Sequence, residues 1–333
     1  MERKHIYLAA ALVLVVIISL LAIQTMKPPG LPVDLSLVNK EKMVFTSIGP
    51  DDHGTYLAAI DLVNKLPRQR AIIVVEPKGI NLASFAHGDN DSLLLRMFGY
   101  LSEQGFAGAE ATFVPFSEYN DYPGIPDPKL YVPAVNHFAA LAKSAFPEVK
   151  IGALLDCRSN LGYRDKNESG HYGTVSLLPY IGGLDKKNVT VLFFQGFPRV
   201  AGDENVTRAM TFLNADRAIE AAAGLGTKEI TFVTGTAAVY GAAGSQKITH
   251  TPAERSQIVG DIQNQIGLAR QAGYGAKLVI FAENKEKTQA DWSYARSNED
   301  IGVLKKFVGG ETASGVEVSI FDPENEVPLS RLA

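Results

Sequence analysis

Carboxylate side chains follow several short apolar runs of this chain. Glu76, Asp156 and Glu283 each come within two residues of the end of such a run. Two carboxyl groups, one protonated and one ionised, can act as a general acid and as a base or nucleophile. These three residues are therefore the candidate catalytic residues. Other polar groups in the same kind of position are Asp51, Asp52, His53, Glu118, Asp121, Gln195, Thr236 and Asp322.

The elements that would position these side chains are eight short runs rich in apolar and β-branched residues. Most of the runs are continuously apolar, which is typical of parallel strands buried on both faces. The predicted strands are residues 43–48, 71–75, 109–116, 150–155, 189–194, 229–234, 277–281 and 316–321.

Amphipathic stretches alternate with these runs and predict the helices. They cover residues 55–66, 92–104, 132–146, 176–184, 204–225, 253–272 and 299–308. The alternation predicts an α/β fold with a parallel sheet and helical crossovers, and the length suits a closed (β/α)8 barrel of the TIM type. A doubly wound open sheet is the alternative, although no G-x-G-x-x-G motif follows the first strand.

A barrel would bring the candidate residues to one face, because the carboxyl ends of its strands meet there. Asp156 follows the fourth run and Glu283 the seventh, so this pair would face each other across the mouth. Aromatic side chains near the same ends could stack on a ligand. They are Phe116, Tyr119, Tyr122, Phe194, Phe197 and Trp292.

The amino-terminal segment has a different character. Residues 6–23 contain no charged side chain and follow Arg3 and Lys4. This length predicts a transmembrane helix over residues 6–25 that is retained as a signal anchor. A cleaved signal peptide is the alternative, but its apolar region would be shorter and would end in a small-x-small site. The basic flank predicts a cytoplasmic amino terminus and an extracytoplasmic body at the cell envelope.

The predicted organisation is a single barrel on a short stalk. It consists of a cytoplasmic end (1–5), the membrane anchor (6–25), a Pro-rich linker (26–42) and the barrel domain (43–333). Beyond residue 27 the chain has 29 basic and 35 acidic residues, a net charge of −6. This balance, with no basic block, excludes nucleic acid as an expected partner.

Neither a metal nor a cofactor is expected. The six histidines form no H-x-x-x-H or H-E-x-x-H pattern, which are the usual spacings of zinc ligands on a helix. The Gly-rich stretch 235–245 lacks the Lys-Ser/Thr ending of a phosphate-binding loop.

Residues 92–152 resemble the centre of the family-18 glycoside hydrolases, the chitinases and their lectin-like relatives. The similar features are the Gly-Phe-Ala-Gly frame at 105–108, the Asp-Tyr-Pro-Gly at 121–124 and a helix ending in Phe-Pro at 146–147. The segments 189–195 and 224–240 are also similar to parts of that family. The resemblance implies a barrel, a glycan ligand and, in the family's active members, glycoside hydrolysis assisted by the ligand's acetamido group.

The chain departs from that family at its catalytic motif. In register, the three acidic positions of D-x-D-x-E fall on Glu110, Thr112 and Val114, and a valine cannot protonate a leaving group. A gapped match would instead set Asp121 on the family's acid. The tyrosine and acid that hold the acetamido group would become Phe194 and Gln195.

The sequence therefore predicts a membrane-anchored, chitinase-like barrel that does not hydrolyse glycans and serves as a glycan-binding or structural subunit. The expected ligand-binding residues are Glu118, Asp121, Tyr122, Phe194, Gln195 and Trp292. Two alternatives remain: a hydrolase that uses strand-end carboxylates such as Asp156 and Glu283, and a ligand-free accessory subunit of a membrane protein complex. Partners would be membrane lipid through residues 6–25, a glycan and membrane proteins.

Overall fold

The structure is a computed structural model. It describes residues 38–49, 71–77, 79–109, 111–117, 119, 127–156, 177–196, 198–199, 210–235, 239–240, 248–249, 251–281, 290–291 and 318–321. The predicted anchor and the predicted helices 55–66 and 299–308 lie outside these ranges. No helix within the ranges is both long enough and apolar enough to cross a membrane.

Eight parallel strands close into a barrel. They are β1 (Val38–Ile48), β2 (Ala71–Pro77), β3 (Ala111–Pro115), β4 (Lys150–Asp156), β5 (Val189–Gln195), β8 (Glu229–Thr234), β11 (Gly275–Phe281) and β13 (Val318–Phe321). Closure follows from β1, which pairs with β2 on one side and with β13 on the other. The predicted barrel is therefore confirmed, and the open doubly wound sheet is excluded.

The strand bounds differ most at the start of the barrel. β1 begins at Val38, rather than at residue 43, because Val38 is already paired with Val318. The barrel thus begins inside the stretch that the sequence assigned to the linker. β3 is shorter than predicted, whereas β11 begins two residues earlier, at Gly275. Residues 316–317 of the last predicted strand lie outside the described ranges.

Six helices are described. They are α1 (Leu82–Ala86), α2 (Asp91–Glu103), α3 (Pro128–Ala145), α4 (Leu178–Ile181), α5 (Ala215–Leu225) and α6 (Pro252–Gln271). The short helix α1 was not predicted. α4 is a single turn in place of the predicted helix 176–184, and α5 begins well after the predicted residue 204.

Local side-chain bonds fix the helix starts. Asp127 caps α3 by accepting a hydrogen bond from the Lys129 amide, and Pro128 occupies the first turn, where its missing N–H is not needed. α6 begins with a capping box in which Thr251 and Glu254 exchange hydrogen bonds. These caps place α3 four residues before its predicted start at residue 132.

The late start of α5 has a tertiary cause. Both the amide and the hydroxyl of Thr211 donate to Asp261 Oδ2 on α6, at 2.9 Å and 2.7 Å. This contact holds residues 210–211 as a short strand, so the helix forms only after Asn214, which caps it.

Short additional strands form within the connections that follow the carboxyl ends of some barrel strands. β6 (Pro198–Arg199) and β7 (Met210–Thr211) pair as a hairpin after β5. β9 (Val239–Tyr240), β10 (Ile248–Thr249) and β12 (Ala290–Asp291) form a small antiparallel sheet that joins the connections after β8 and β11. These additions lie on the side of the barrel where its strands end.

Side-chain alternation divides the core into two parts. The larger part lies between the outer faces of the strands and the helices, and the smaller part fills the barrel interior. The interior residues are at most 2% exposed, so the barrel is packed rather than hollow. They are Ile72, Val74, Val114, Leu154, Phe193, Val233 and Val279.

Gly196, directly after β5, lies against backbone. A Cβ atom at this position would meet the amide nitrogen of Leu213 and the carbonyl carbon of Phe212. Backbone atoms cannot rotate away, and Gly196 is also fixed by hydrogen bonds with Val233 and Thr234. We therefore expect Gly196→Ala to lower the free energy of unfolding by about 1–3 kcal/mol, measured by urea denaturation.

Gly99→Ala is the matched control for this substitution. Gly99 is exposed within α2, and an added methyl group there has no neighbour within 4 Å. Replacing it should raise stability by about 0.5–1 kcal/mol, because Gly is a poor helix former. Equal effects of the two substitutions would contradict the close backbone approach at Gly196.

Candidate functional site

Three polar side chains continue the interior face of the barrel at its carboxyl end. Glu76, Asp156 and Gln195 each come two residues after an interior residue, namely Val74, Leu154 and Phe193. Because side chains alternate along a strand, all three occupy inward positions. The interior of the barrel is therefore apolar in its middle and polar at its mouth.

Asp156 and Gln195 form the most enclosed part of this mouth. They are paired in register on the adjacent strands β4 and β5, and their exposed fractions are 7% and 3%. Glu76, on β2, is half-buried and separated from Asp156 by strand β3. Two strand spacings put the axes of β2 and β4 about 10 Å apart.

Ser117 holds the Glu76 carboxylate. Its amide donates to Glu76 Oε1 at 3.1 Å, and its hydroxyl donates to the same oxygen. Both donors of Ser117 bind the same oxygen, so Oε1 of Glu76 acts as a hydrogen-bond acceptor. Glu76 is thus held at the mouth as a hydrogen-bond acceptor.

An unusual backbone conformation directs Ser117 toward Glu76. Phe116 has a φ of 56°, and it is the one described residue other than glycine with a positive φ. Such a conformation costs on the order of 1–2 kcal/mol. Burial of the Phe116 ring against Phe85, with centroids 4.8 Å apart, offsets this cost. Strain of this kind is often found at functional sites.

Three tyrosines pack together at the same end of the barrel. The ring of Tyr131, in the first turn of α3, is stacked on Tyr119, with centroids 5.6 Å apart and planes 11° apart. Tyr180, on α4, meets the Tyr131 ring edge-on at 5.7 Å. Helices α3 and α4 follow strands β3 and β4, so this tyrosine cluster of residues 119, 131 and 180 lies at the carboxyl end of the barrel.

Burial and negative charge keep the tyrosine cluster protonated. Burial raises the pKa of the Tyr131 hydroxyl far above its usual range, and the Glu76 carboxylate raises it further. Burial also raises the pKa of Tyr180 to about 12, with smaller contributions from Tyr119 and Asp127. The pKa of Tyr119 is raised for the same main reason, with Asp127 as the second cause.

The Tyr131 hydroxyl is buried without a hydrogen-bond partner in the part of the chain that the structure describes. It is the one buried side-chain polar atom with this property there. A buried hydroxyl left unpaired costs about 1–3 kcal/mol. Its position beside Glu76 therefore needs an explanation.

Two of the aromatic side chains that were predicted to stack on a ligand, Phe194 and Phe116, are enclosed by the core, and Phe194 was also an expected ligand-binding residue. Phe194 is fully buried on the outer face of β5, where it packs in the helix-facing core, because its side chain points opposite to Gln195. Phe116 is buried in the same core. Neither ring is exposed at the mouth of the barrel.

Several predicted site residues lie outside the described residues. They are Glu118, Asp121, Tyr122, Phe197, Glu283 and Trp292. The predicted pairing of Asp156 with Glu283 across the mouth is thus not described, whereas Glu76, Asp156 and Gln195 are brought to the same end of the barrel.

The sequence interpretation missed Ser117, Tyr131 and Tyr180. A usable signal was present, because Ser117 follows a predicted strand, and Tyr131 and Tyr180 begin the helices after β3 and β4. First turns of such helices lie at the carboxyl end of a barrel. The ring contacts that bring Tyr131 and Tyr180 together depend on how the helices pack.

Another polar pair lies between helices. His137 on α3 and Asp91 at the start of α2 are 2.6 Å apart, and both are partly buried. This contact fastens the two helices together. Within the described ranges, no group of three or more His, Cys, Asp or Glu side chains could hold a metal ion.

Fold and site together define a closed parallel (β/α) barrel whose carboxyl-end mouth carries acidic, amide and phenolic groups. The sequence matches no protein-family model and no curated protein.

Solved structures that are similar to this chain include barrels of the glycoside hydrolase type. Active domain 2 of a chitinase from Pyrococcus furiosus is 12% identical over 80% of this chain and 85% of its own, with a TM-score of 0.41. A GH113 beta-1,4-mannanase is 10% identical, with coverages of 85% and 87% and a TM-score of 0.41. The C-terminal domain of a putative chitinase from Desulfitobacterium hafniense is 9% identical, with coverages of 88% and 96% and the same TM-score. Likeness at this level identifies neither a reaction nor a ligand.

The tyrosine cluster predicts a loss of stability at alkaline pH. Unfolded tyrosine titrates near pH 10, whereas the pKa of Tyr180 in the folded protein is about 12. The stability that the raised pKa of Tyr180 provides is complete below pH 10 and is lost as pH rises through about 12. The reason is that Tyr180 loses its proton at a lower pH in the unfolded state than in the folded state. Above about pH 10, Tyr180→Phe should make the fall of unfolding free energy with pH shallower by up to about 1.4 kcal/mol per pH unit.

Urea denaturation of the wild type and the variant at a series of pH values measures this slope. At neutral pH the two proteins should show the same pH dependence, because Tyr180 is then protonated in both folded and unfolded states. Identical slopes above pH 10 would contradict the shielding of this hydroxyl.

Proposed function

We propose that this protein is a membrane-anchored barrel that binds a glycan at its carboxyl-end mouth without hydrolysing it. The observation that carries the proposal is the convergence of Glu76, Asp156 and Gln195 on the inner face at the ends of their strands. Residues 6–25 serve as the anchor, and the barrel lies on the extracytoplasmic side of the membrane. The chitinase-like resemblance of residues 92–152 supports an oligosaccharide as the ligand.

The chemistry of the mouth supports a polyhydroxylated ligand. Carboxylate oxygens accept hydrogen bonds from hydroxyl groups, and the Gln195 amide can both donate and accept. Tyr119 is half-buried, so its ring offers an aromatic surface near these polar groups. Sugar binding uses the same combination of directed hydrogen bonds and apolar ring contact.

One observation supports binding without hydrolysis. Hydrolysis of a glycosidic bond needs a carboxylic acid that carries a proton. Val114, the residue in register with the family-18 catalytic acid, is fully buried in the apolar barrel interior. The position that would protonate a leaving group therefore has no acid.

A hydrolase that uses Glu76 and Asp156 is the second candidate. Both residues occupy inward positions, with one strand between them. The strand axes are about 10 Å apart, and the two carboxyl groups of an inverting hydrolase are about 6.5–9.5 Å apart. The predicted pair of Asp156 and Glu283 stays a prediction, because Glu283 lies outside the described residues.

Binding can be tested by calorimetric titration of the full chain, in a detergent without a sugar headgroup, with chitotetraose and with mannotetraose. We expect the wild type to bind at least one of them. Glu76→Gln and Asp156→Asn should each weaken binding about 10-fold or more, because each removes a charged acceptor. Circular dichroism and melting curves would confirm that both variants remain folded.

Glu148→Gln is the matched control, because Glu148 is exposed and lies just before β4, at the opposite end of the barrel. The Glu148→Gln variant should bind each oligosaccharide with the affinity of the wild type. Release of reducing ends that stops in Glu76→Gln would instead support the hydrolase. Absence of binding by the wild type, together with stable co-purifying proteins, would support a ligand-free subunit of a membrane complex.

The proposed membrane anchor leads to a separate prediction about membrane extraction. The full chain should remain in the membrane fraction after alkaline carbonate extraction, because residues 6–23 are apolar and long enough to span the bilayer. A chain that lacks residues 1–27 should be found in the soluble fraction. Release of the full chain by carbonate would contradict the anchor, and degradation of its body by protease added outside intact cells would support the proposed orientation.

A further inference from the structure

The Tyr131 hydroxyl is the polar group that the fold does not use. It is fully buried and has no hydrogen-bond partner in the described part of the chain. The ring packs between Tyr119 and Tyr180, and a phenylalanine would supply the same packing. Buried tyrosine hydroxyls usually have a partner, so stability alone does not account for a hydroxyl here.

The surroundings of this hydroxyl connect it to the mouth of the barrel. Tyr131 lies in the first turn of α3, where the crossover from β3 returns to the carboxyl end. Glu76 lies at the end of β2, which pairs with β3, and α3 begins the crossover that follows β3. The Glu76 carboxylate raises the pKa of the Tyr131 hydroxyl, after the larger effect of burial. Glu76 Oε1 accepts from Ser117, whereas the Tyr131 hydroxyl is not bonded to it. A buried hydroxyl donor and a fixed carboxylate acceptor therefore lie at the same end of the barrel without bonding to each other.

We propose that Tyr131 is a ligand-binding residue whose hydroxyl donates a hydrogen bond to a hydroxyl group of the bound ligand, while that group donates to Glu76. The inference rests on the proposed glycan-binding function and identifies the ligand group involved. The group must accept from a phenol and donate to a carboxylate through one atom. A sugar hydroxyl does both, whereas a carbonyl oxygen can only accept.

Access to the hydroxyl requires a neighbouring side chain to move. Tyr119 is the more exposed of the two ring neighbours of Tyr131, since Tyr180 is 1% exposed and Tyr119 is half-buried. Tyr119 is stacked on the face of the Tyr131 ring. A sugar ring that enters beside Glu76 would displace it and take over the aromatic contact.

The test is Tyr131→Phe in the full chain, with the titrations by chitotetraose and mannotetraose repeated beside melting curves. We expect binding to weaken about tenfold, because one buried hydrogen bond to the ligand is lost. The melting temperature of the ligand-free variant should stay the same or rise by about 2 °C, since an unpaired buried hydroxyl is removed. A residue that serves the fold would give the opposite pattern, with a lower melting temperature and unchanged affinity.

Tyr274→Phe is the matched control. Tyr274 lies before β11 at the amino end of the barrel, where the Lys228 ammonium group is 5.1 Å from its ring centre. Removal of the Tyr274 hydroxyl should leave the affinity for chitotetraose and mannotetraose unchanged.

Two results overturn the inference on Tyr131 alone: wild-type affinity in Tyr131→Phe, or a lower melting temperature of that variant. If the wild type binds neither oligosaccharide, the proposed function itself fails and this inference fails with it. The wild-type titration therefore separates the two failures before any variant is made.

Discussion

Closure of the parallel sheet is the constraint on which the rest of the molecule depends. β1 pairs with β2 and with β13, so every barrel strand has an inner and an outer face, and neighbouring residues on a strand have opposite environments. The outer faces pack on helices and the inner faces pack on each other. The same alternation that fills the interior with Val74 and Leu154 directs Glu76 and Asp156 into the mouth. The alternation of side chains along the strands thus determines both the packing of the barrel and the position of the candidate site.

The mouth combines stabilising and destabilising features. Phe116 adopts a costly left-handed conformation, and the Tyr131 hydroxyl is buried without a partner. Both lie at the end of the barrel that carries Glu76. Ser117, the residue after Phe116, holds the Glu76 carboxylate by hydrogen bonding. The aromatic side chains of α1, α2 and α3 pack extensively around β3. The free energy gained by burying them offsets these two costs. Local costs concentrated at one end of an otherwise well-packed barrel are typical of a binding or reaction site.

The resemblance to the family-18 hydrolases has a clear structural limit. Thr112 and Val114, at two of the three acidic motif positions, are buried in β3, and Val114 belongs to the apolar interior. Among the described residues, β2 and β4 supply acidic groups to the mouth, at Glu76 and Asp156. A barrel of this type keeps its architecture while the strands that carry its polar groups change, because each strand end reaches the same mouth.

Much of the fold could be predicted from the sequence, because its signals are local. The eight predicted strands are the eight strands of the barrel, since buried parallel strands need continuous apolar runs. Helix α6 was predicted to within one residue at each end, because Pro252 marks its first turn. The start of α5 was wrong because Thr211 is held by Asp261, some 50 residues away in sequence. The sequence also identified Glu76, Asp156 and Gln195 as strand-end residues, whereas tertiary structure decided which side chains share the mouth. Strand alternation turned Phe194 outward, and helix packing brought Tyr131 and Tyr180 together at the carboxyl end of the barrel. Residue type and local period thus determine which elements form, but the neighbours of a side chain depend on contacts between segments that are distant in the chain.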